Sequence, residues 1–169
     1  MNELPVITTE RICLRRFTMD DAEGLRSLLG DEDVMRYSVI GSLSAERIIT
    51  HLHGWIAHYQ EHGFGIWAVI FDNQLIGFCG VDWKIVDNNP QIQLSYRFNK
   101  QFWGKKLAYE AASAVCEYAF QRLGIKRIIC LIDPENDRSI ALALRLGMQF
   151  SHETLYLGHV RKIYYRSEE

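Results

Sequence analysis

Residues 91–122 constrain the fold more than any other part of the chain. They read QIQLSYRF, NKQF, WGKKLA and YEAASAVCEYAFQR in succession. Ile92, Leu94, Tyr96 and Phe98 recur at period two, the spacing of one sheet face. From Leu107 the period changes. Leu107, Ala111, Val115 and Tyr118 fall three or four apart, with Ala108, Ala114 and Ala119 beside them, which makes a helix with a small apolar face. Gly124 stands just past its end, where a left-handed capping residue is expected. The run RIICLID at 127–133 is apolar almost throughout and suits a strand buried on both faces. Strand, helix and strand joined by short links imply a right-handed crossover and a parallel pair. The remaining elements have to be built around that pair.

The same unit points to an anion. The first amides of a helix have no intrahelical partner, and the helix dipole adds partial positive charge there. Gly104 lets backbone approach a ligand, and Lys105 and Lys106 add two cations. A phosphate or pyrophosphate is the natural occupant. On spacing alone, a solvated Lys-Lys turn capping an ordinary helix fits equally well.

A length of 169 residues fits one domain, taken as 1–169, with room for a sizeable core. A net charge of −2 gives no basic excess, so neither nucleic acid nor a membrane surface is an expected partner. The opening MNELPVITTERICLRR lacks the apolar run of a signal peptide, and no stretch approaches the ~20 apolar residues of a membrane-spanning helix. Cys13, Cys79, Cys116 and Cys130 are scattered in apolar surroundings. They read as reduced core cysteines of a cytoplasmic protein.

In chain order, residues 11–17 form the first expected strand. Thr18 then caps a helix carrying Ala22, Leu25, Leu28 and Leu29, with Asp21 at its third position. A second helix starts after Ser44 and carries Ile48, Leu52, Trp55, Ile56 and Tyr59, with Gly63 following it. Its His51, His58 and His62 could share one side, but nothing completes a ligand set, so a polar face and no metal are expected. Strands at 66–71 and 75–85 flank a turn at Asp72, Asn73 and Gln74, and residues 87–90 turn the chain into the central strand. Residues 134–139 open a last helix that ends at Gly147, and two antiparallel strands around Gly158 finish the chain. The result is a mixed α+β (α/β) architecture: a central mixed sheet with one parallel strand pair, flanked by helices.

The segment FWGKKLAYEAASAVCEYAF resembles the phosphate-binding segment of the GNAT superfamily of acyl-CoA-dependent N-acetyltransferases. It is most similar to the branch related to the ribosomal-protein N-terminal acetyltransferases, whose usual form is FWGKGYATEA. ITTERICLRRFTMDDAEGL, LIGFCGVDW and PENDRSIALALRLGMQF match in the same order, so the resemblance spans roughly residues 8–166. It implies the GNAT fold and acetyl-CoA as co-substrate, lying beyond the carboxyl ends of the two parallel strands. Its pantetheine arm would pair with backbone at Tyr96, Arg97 and Phe98. Its pyrophosphate would meet the amides of Trp103, Gly104, Lys105, Lys106, Leu107 and Ala108. Lys106 departs from the branch, which has glycine there.

Asn136 and Ser139 match the branch's Asn-x-x-Ser, which implies an asparagine on the pantetheine arm and a serine beside the thioester sulfur. A turn-forming Asn136 and a helix-capping Ser139 are the plainer alternative. Tyr96 is a second hydroxyl near the cofactor, although core packing explains it equally well. Many relatives carry a glutamate base where this chain has Gln93, which cannot accept a proton. Asp82 is the candidate substitute, against the alternative of an ordinary surface aspartate. The expected activity is acetyl transfer to a primary amine, by direct attack on acetyl-CoA. The acceptor would be a protein N-terminus or a small molecule, and a homodimer is compatible with the resemblance. The alternatives are an acyl-CoA-binding protein without transfer activity, suggested by Lys106 and Gln93 together, and an interaction module with no ligand.

Overall fold

The structure is a computed structural model that describes residues 4–168; residues 1–3 and 169 lie outside the description. Eight strands form one sheet, β1 (Pro5–Thr8), β2 (Ile12–Arg15), β3 (Ile66–Phe71), β4 (Gln74–Val86), β5 (Asn89–Phe98), β6 (Arg127–Ile132), β7 (Gln149–Tyr156) and β8 (His159–Ser167). Four α-helices accompany them: α1 (Ala22–Leu29), α2 (Ala45–His62), α3 (Leu107–Gln121) and α4 (Asp137–Arg145). The sheet order is β1-β2-β3-β4-β5-β6-β8-β7, and only β5 and β6 run parallel. This is the mixed sheet expected from the sequence.

Period-two alternation decides which helix covers which face. On β3, Ile66 and Ala68 join Leu25, Leu28, Ile48 and Leu52 of α1 and α2. Trp67 and Val69 face the other way and pack with Leu107, Ala111, Val115 and Ala119 of α3. The small residues of α3 let it lie close to the sheet, and Ala111, Val115 and Ala119 are all fully buried.

The differences from the sequence reading lie at element ends. The sheet begins a strand earlier, at β1, which is too short and too exposed to show a period. The helix expected from Thr18 opens as a single 3-10 turn at Met19–Asp21 before α1 begins. The Asp21 carboxylate accepts from the Thr18 amide at 2.9 Å and from both terminal nitrogens of Arg15, so it closes the expected capping box. Both hairpins flanking β4 are tighter than expected. Asp72 and Asn73, and likewise Asp87 and Asn88, have φ between 51° and 61°, which makes each a two-residue turn. Gln74, Asn89 and Pro90 therefore belong to strands.

Two glycines of β4 are required by close approach. A Cβ on Gly80 would stand 2.2 Å from the Gly65 carbonyl oxygen, and one on Gly77 would stand 2.2 Å from that of Arg97. Both obstacles are backbone, so neither can swing aside. Gly80→Ala is expected to destabilise the fold by about 1–3 kcal/mol, the usual range for overpacking, read as a lowered urea midpoint at unchanged slope.

Candidate active site

The parallel pair is joined at one register position, Gln93 opposite Ile129. Beyond it β5 and β6 diverge toward their carboxyl ends, and β6 keeps β8 as its partner instead. The divergence opens a cleft of about 1100 Å³. Leu94, Ser95, Tyr96, Arg97 and Phe98 line one side, and Cys130, Leu131, Ile132 and Asp133 line the other. The start of α3 and the first turns of α4 close one end. Residues 33–40, Trp55 and His51 close the opposite end.

At the α3 end, the loop is built to present backbone. Trp103 donates its indole N–H to the Phe98 carbonyl at 2.8 Å, which fastens the loop to the end of β5. Gly104 has φ +75° and Lys106 φ +61°, so two left-handed residues fold the loop back before the helix starts. Lys106 is the residue just before α3 and offers no side-chain cap. Glu110 is the first amide to bond back, to the Lys106 carbonyl at 3.1 Å, so the helix start keeps unpaired donors.

All but one of the expected cofactor residues line the cleft: Tyr96, Arg97, Phe98, Trp103, Gly104, Lys106, Leu107, Ala108, Asn136 and Ser139. Lys105 is the exception. Its ammonium lies 5.5 Å from the Phe102 ring, and its carbonyl accepts from Arg11. Two arginines of α4 were missed: Arg138 lies over the Trp103 ring at 4.7 Å and Arg145 over Tyr109 at 4.3 Å. Their spacing of seven, two helical turns, was the available signal.

On the α4 wall, Asn136 rather than Ser139 is the cap. The Asn136 side-chain oxygen accepts from the Ser139 amide at 3.2 Å. That frees the Ser139 hydroxyl, whose Oγ lies 2.6 Å from the Tyr96 hydroxyl oxygen. Two hydroxyls that sequence reading proposed separately thus form one pair across the cleft. Burial raises the Tyr96 pKa above its usual value, so the phenol stays protonated near neutral pH. Glu110 is structural, accepting from Thr9 at 2.9 Å and Arg11 at 3.0 Å.

Asp82 is a buried residue, 7% exposed, and not an ordinary surface aspartate. It sits directly across from Gln93 in the β4–β5 register, so both side chains leave the sheet on the same face. Its Oδ2 lies 3.0 Å from the Lys84 ammonium, while Oδ1 is buried with no hydrogen-bond partner. Among the described residues no three His, Cys, Asp or Glu are grouped to hold a metal ion.

Comparison with known proteins agrees with this geometry. Residues 11–149 match the family model described as an acetyltransferase (GNAT) domain. The uncharacterised protein YkkB of Bacillus subtilis (strain 168) is 31% identical over 89% of this chain and 89% of its own. YoaA of the same organism, an uncharacterised N-acetyltransferase, is 28% identical over 86% of this chain and 83% of its own. The fold is shared with RimL, a ribosomal L7/L12 α-N-protein acetyltransferase solved with coenzyme A, at TM-score 0.82 and 19% identity, covering 97% of this chain and 98% of that one. The chain belongs to the GNAT acetyltransferase family, whose members move an acetyl group from acetyl-CoA to an amine.

Lys106 is the family's departure and also a strained residue. A non-glycine residue in the left-handed region costs roughly 1–2 kcal/mol, part of which glycine would return through its floppier unfolded chain. Lys106→Gly is therefore expected to raise the melting temperature of the free protein. It is also expected to weaken coenzyme A binding, by about fivefold, the loss of one exposed charge contact on the order of 1 kcal/mol. Calorimetric titration reads the second effect; tighter binding in the glycine variant would show that the lysine obstructs the loop.

Proposed function

We propose that this protein, as a single domain, transfers acetyl from acetyl-CoA by direct attack of a primary amine, with no acetylated enzyme between the two substrates. The observation that carries the reading is the Tyr96–Ser139 hydroxyl pair on the cleft wall near α4, facing a wall where Asp82 offers an unpartnered carboxylate oxygen. Coenzyme A would enter along the diverging edges of β5 and β6. The cleft-lining backbone at Tyr96, Arg97 and Phe98 would take the pantetheine arm. The loop from Trp103 to Ala108 would take the pyrophosphate, with Arg138 and Arg145 as further cations on α4. This puts the thioester near Ser139. Tyr96 donates to the Ser139 oxygen, and the Ser139 O–H is then free to protonate the departing sulfur.

Asp82 lies on the acceptor side, where an ammonium group would pair with Oδ1 as the neighbouring Lys84 pairs with Oδ2. The acceptor wall also carries Tyr37, Val39, Ile40, Trp55 and Leu157, which suits an amine attached to an apolar or peptide-like body. A protein N-terminus meets that description, as do small amines of similar shape. We place the reaction in the cytoplasm. All four cysteines are free, three of them buried, as expected of a reducing compartment.

The test is acetyl-CoA with a panel of N-terminal serine and alanine peptides and small primary amines, followed by release of free coenzyme A. Ser139→Ala is expected to lower turnover by ~10–100-fold with acetyl-CoA affinity unchanged. Unchanged turnover would remove Ser139 from the reaction, and a wild-type protein that binds acetyl-CoA yet releases none with any amine would overturn the transfer reading.

A further inference from the structure

Helix α2 carries four histidines, His51, His53, His58 and His62, and they are not alike. His58 is fully used. Its Nδ1 lies 3.0 Å from the Phe64 carbonyl and its Nε2 3.3 Å from the Trp83 amide. An amide N–H can only donate, so Nε2 accepts and Nδ1 donates, and the ring pins α2 to β4. His62 stacks on His58 at 4.4 Å and lies 3.8 Å from Glu61. His53 is exposed and does not line the cleft.

His51 differs on each count. It is half-buried, lines the cleft, and packs edge-on against Trp55 at 5.6 Å. Among the described residues neither of its ring nitrogens has a hydrogen-bond partner. Asp82, Lys84 and Gln93 line the same end of the cleft. The buried Asp82 Oδ1, itself unpartnered, is the second and independent sign that a donor group binds at this end.

We propose that His51 is the proton acceptor for the incoming amine, and that Asp82 holds the ammonium beside it. The inference rests on the acetyl-transfer reading above and assigns its base. An imidazole is a better proton acceptor near neutral pH than a carboxylate. The surroundings keep His51 neutral. Burial, then Lys84 of β4 and Arg47 of α2, push its pKa below the usual 6.5, while Asp82 opposes them. Asp33 and Arg36 of the loop before α2 and Arg97 of β5 also line the cleft, and β5 contributes the neutral Gln93.

The proton balance is simple. The bound ammonium gives one proton to His51, which later passes it to solvent. The neutral amine nitrogen then bonds to the thioester carbonyl carbon. As the C–S bond breaks, the nitrogen loses its second proton to solvent and the sulfur takes one from Ser139, which Tyr96 and solvent restore. One amine becomes an amide and one thioester becomes a thiol, with no oxidant or metal required.

The experiment uses the full chain, acetyl-CoA, and the panel amine that gives the fastest release of coenzyme A. The wild-type rate should fall as pH drops through a value below 6.5, because protonated His51 cannot accept. His51→Gln should lower kcat/KM by ~10–100-fold and abolish that acid limb, with melting temperature and acetyl-CoA affinity unchanged. Asp82→Asn should raise KM for the amine and keep the limb, moved to lower pH, since removing the carboxylate lowers the imidazole's pKa further. NMR titration of the His51 ring proton should show the same ordering without any acceptor present. Loss of the limb in Asp82→Asn and its retention in His51→Gln would make Asp82 the base and overturn the proposal. A fully active His51→Gln would overturn it too, leaving acetyl transfer intact; wild type inactive with every amine would defeat both readings together.

Discussion

The site depends on how little the two parallel strands pair. One register position, Gln93 with Ile129, joins β5 to β6, after which each strand follows a different neighbour. β6 continues along β8 over its whole length, from Arg127 opposite Ser167 to Ile132 opposite Lys162. β5 stays with β4 as far as Phe98 opposite Gly77. Past that position the two strands have no further register pair, and the Leu94 carbonyl accepts from the Cys130 thiol at 3.8 Å. Buried backbone groups are normally paired, so a cleft walled by such groups suits a ligand that carries amides of its own. The pantetheine arm of coenzyme A is such a ligand, and the divergence leaves space for it.

In the proposed reading, the start of α3 trades stability for binding. A cation at a helix N-terminus opposes the dipole, and Lys106 occupies that position in a left-handed conformation as well. Both costs fall on the free protein. An anion bound by the loop amides reverses the first, because it pairs with the lysine and the dipole at once. Arg138 and Arg145 reinforce the same field from α4, and their aromatic partners Trp103 and Tyr109 hold them over the cleft without neutralising them. The glycine of the branch's usual form at this position would avoid the strain but supply no charge. The lysine is best understood as exchanging backbone ease for electrostatic attraction.

How much was legible in the sequence follows from the range of each interaction. The strand–loop–helix unit and the two turns with Asp-Asn pairs are local, and each showed in the residues; at the start of α4 the plainer reading gave the cap to Ser139, and Asn136 supplies it. The Tyr96–Ser139 bond spans 43 positions, yet both residues were proposed separately, Ser139 because the resemblance implies a serine beside the thioester sulfur and Tyr96 as a second hydroxyl near the cofactor. The register that sets Asp82 opposite Gln93 could not be read. It depends on the Asp87-Asn88 turn having two residues, and a longer turn would have shifted the pairing. His51 was visible only as one of several helix histidines. What separates it from His58 is tertiary: Phe64 and Trp83 consume the nitrogens of one ring, and nothing consumes those of the other. Lys105 and Lys106 looked equivalent in sequence, and the left-handed turn between loop and helix sends only the second toward the cleft.

The two ends of the cleft are held in mutual position by charges away from the reacting groups. Arg161 of β8 is 5% exposed and pairs with Asp133, just past β6, at 3.2 Å. The same guanidinium donates to the Tyr37 carbonyl at 3.0 Å. Arg97 of β5 donates to the Val34 carbonyl at 3.1 Å. Burial and the neighbouring Arg161 push the Arg97 pKa down to about 10, which still leaves it charged at neutral pH. Each guanidinium is thus tied to a carbonyl of residues 34–37, and Arg161 also pairs with the Asp133 carboxylate. Those carbonyls belong to the loop on the side proposed for the acceptor, whereas Arg97 lies on, and Asp133 just past, the strands on the side proposed for the cofactor. Moving the loop outward would strip two partly desolvated guanidiniums of partners, a costly change in a low-dielectric setting. The distance between that loop and the diverging strands is therefore fixed by the fold itself, and the direct attack proposed above needs just such preset spacing.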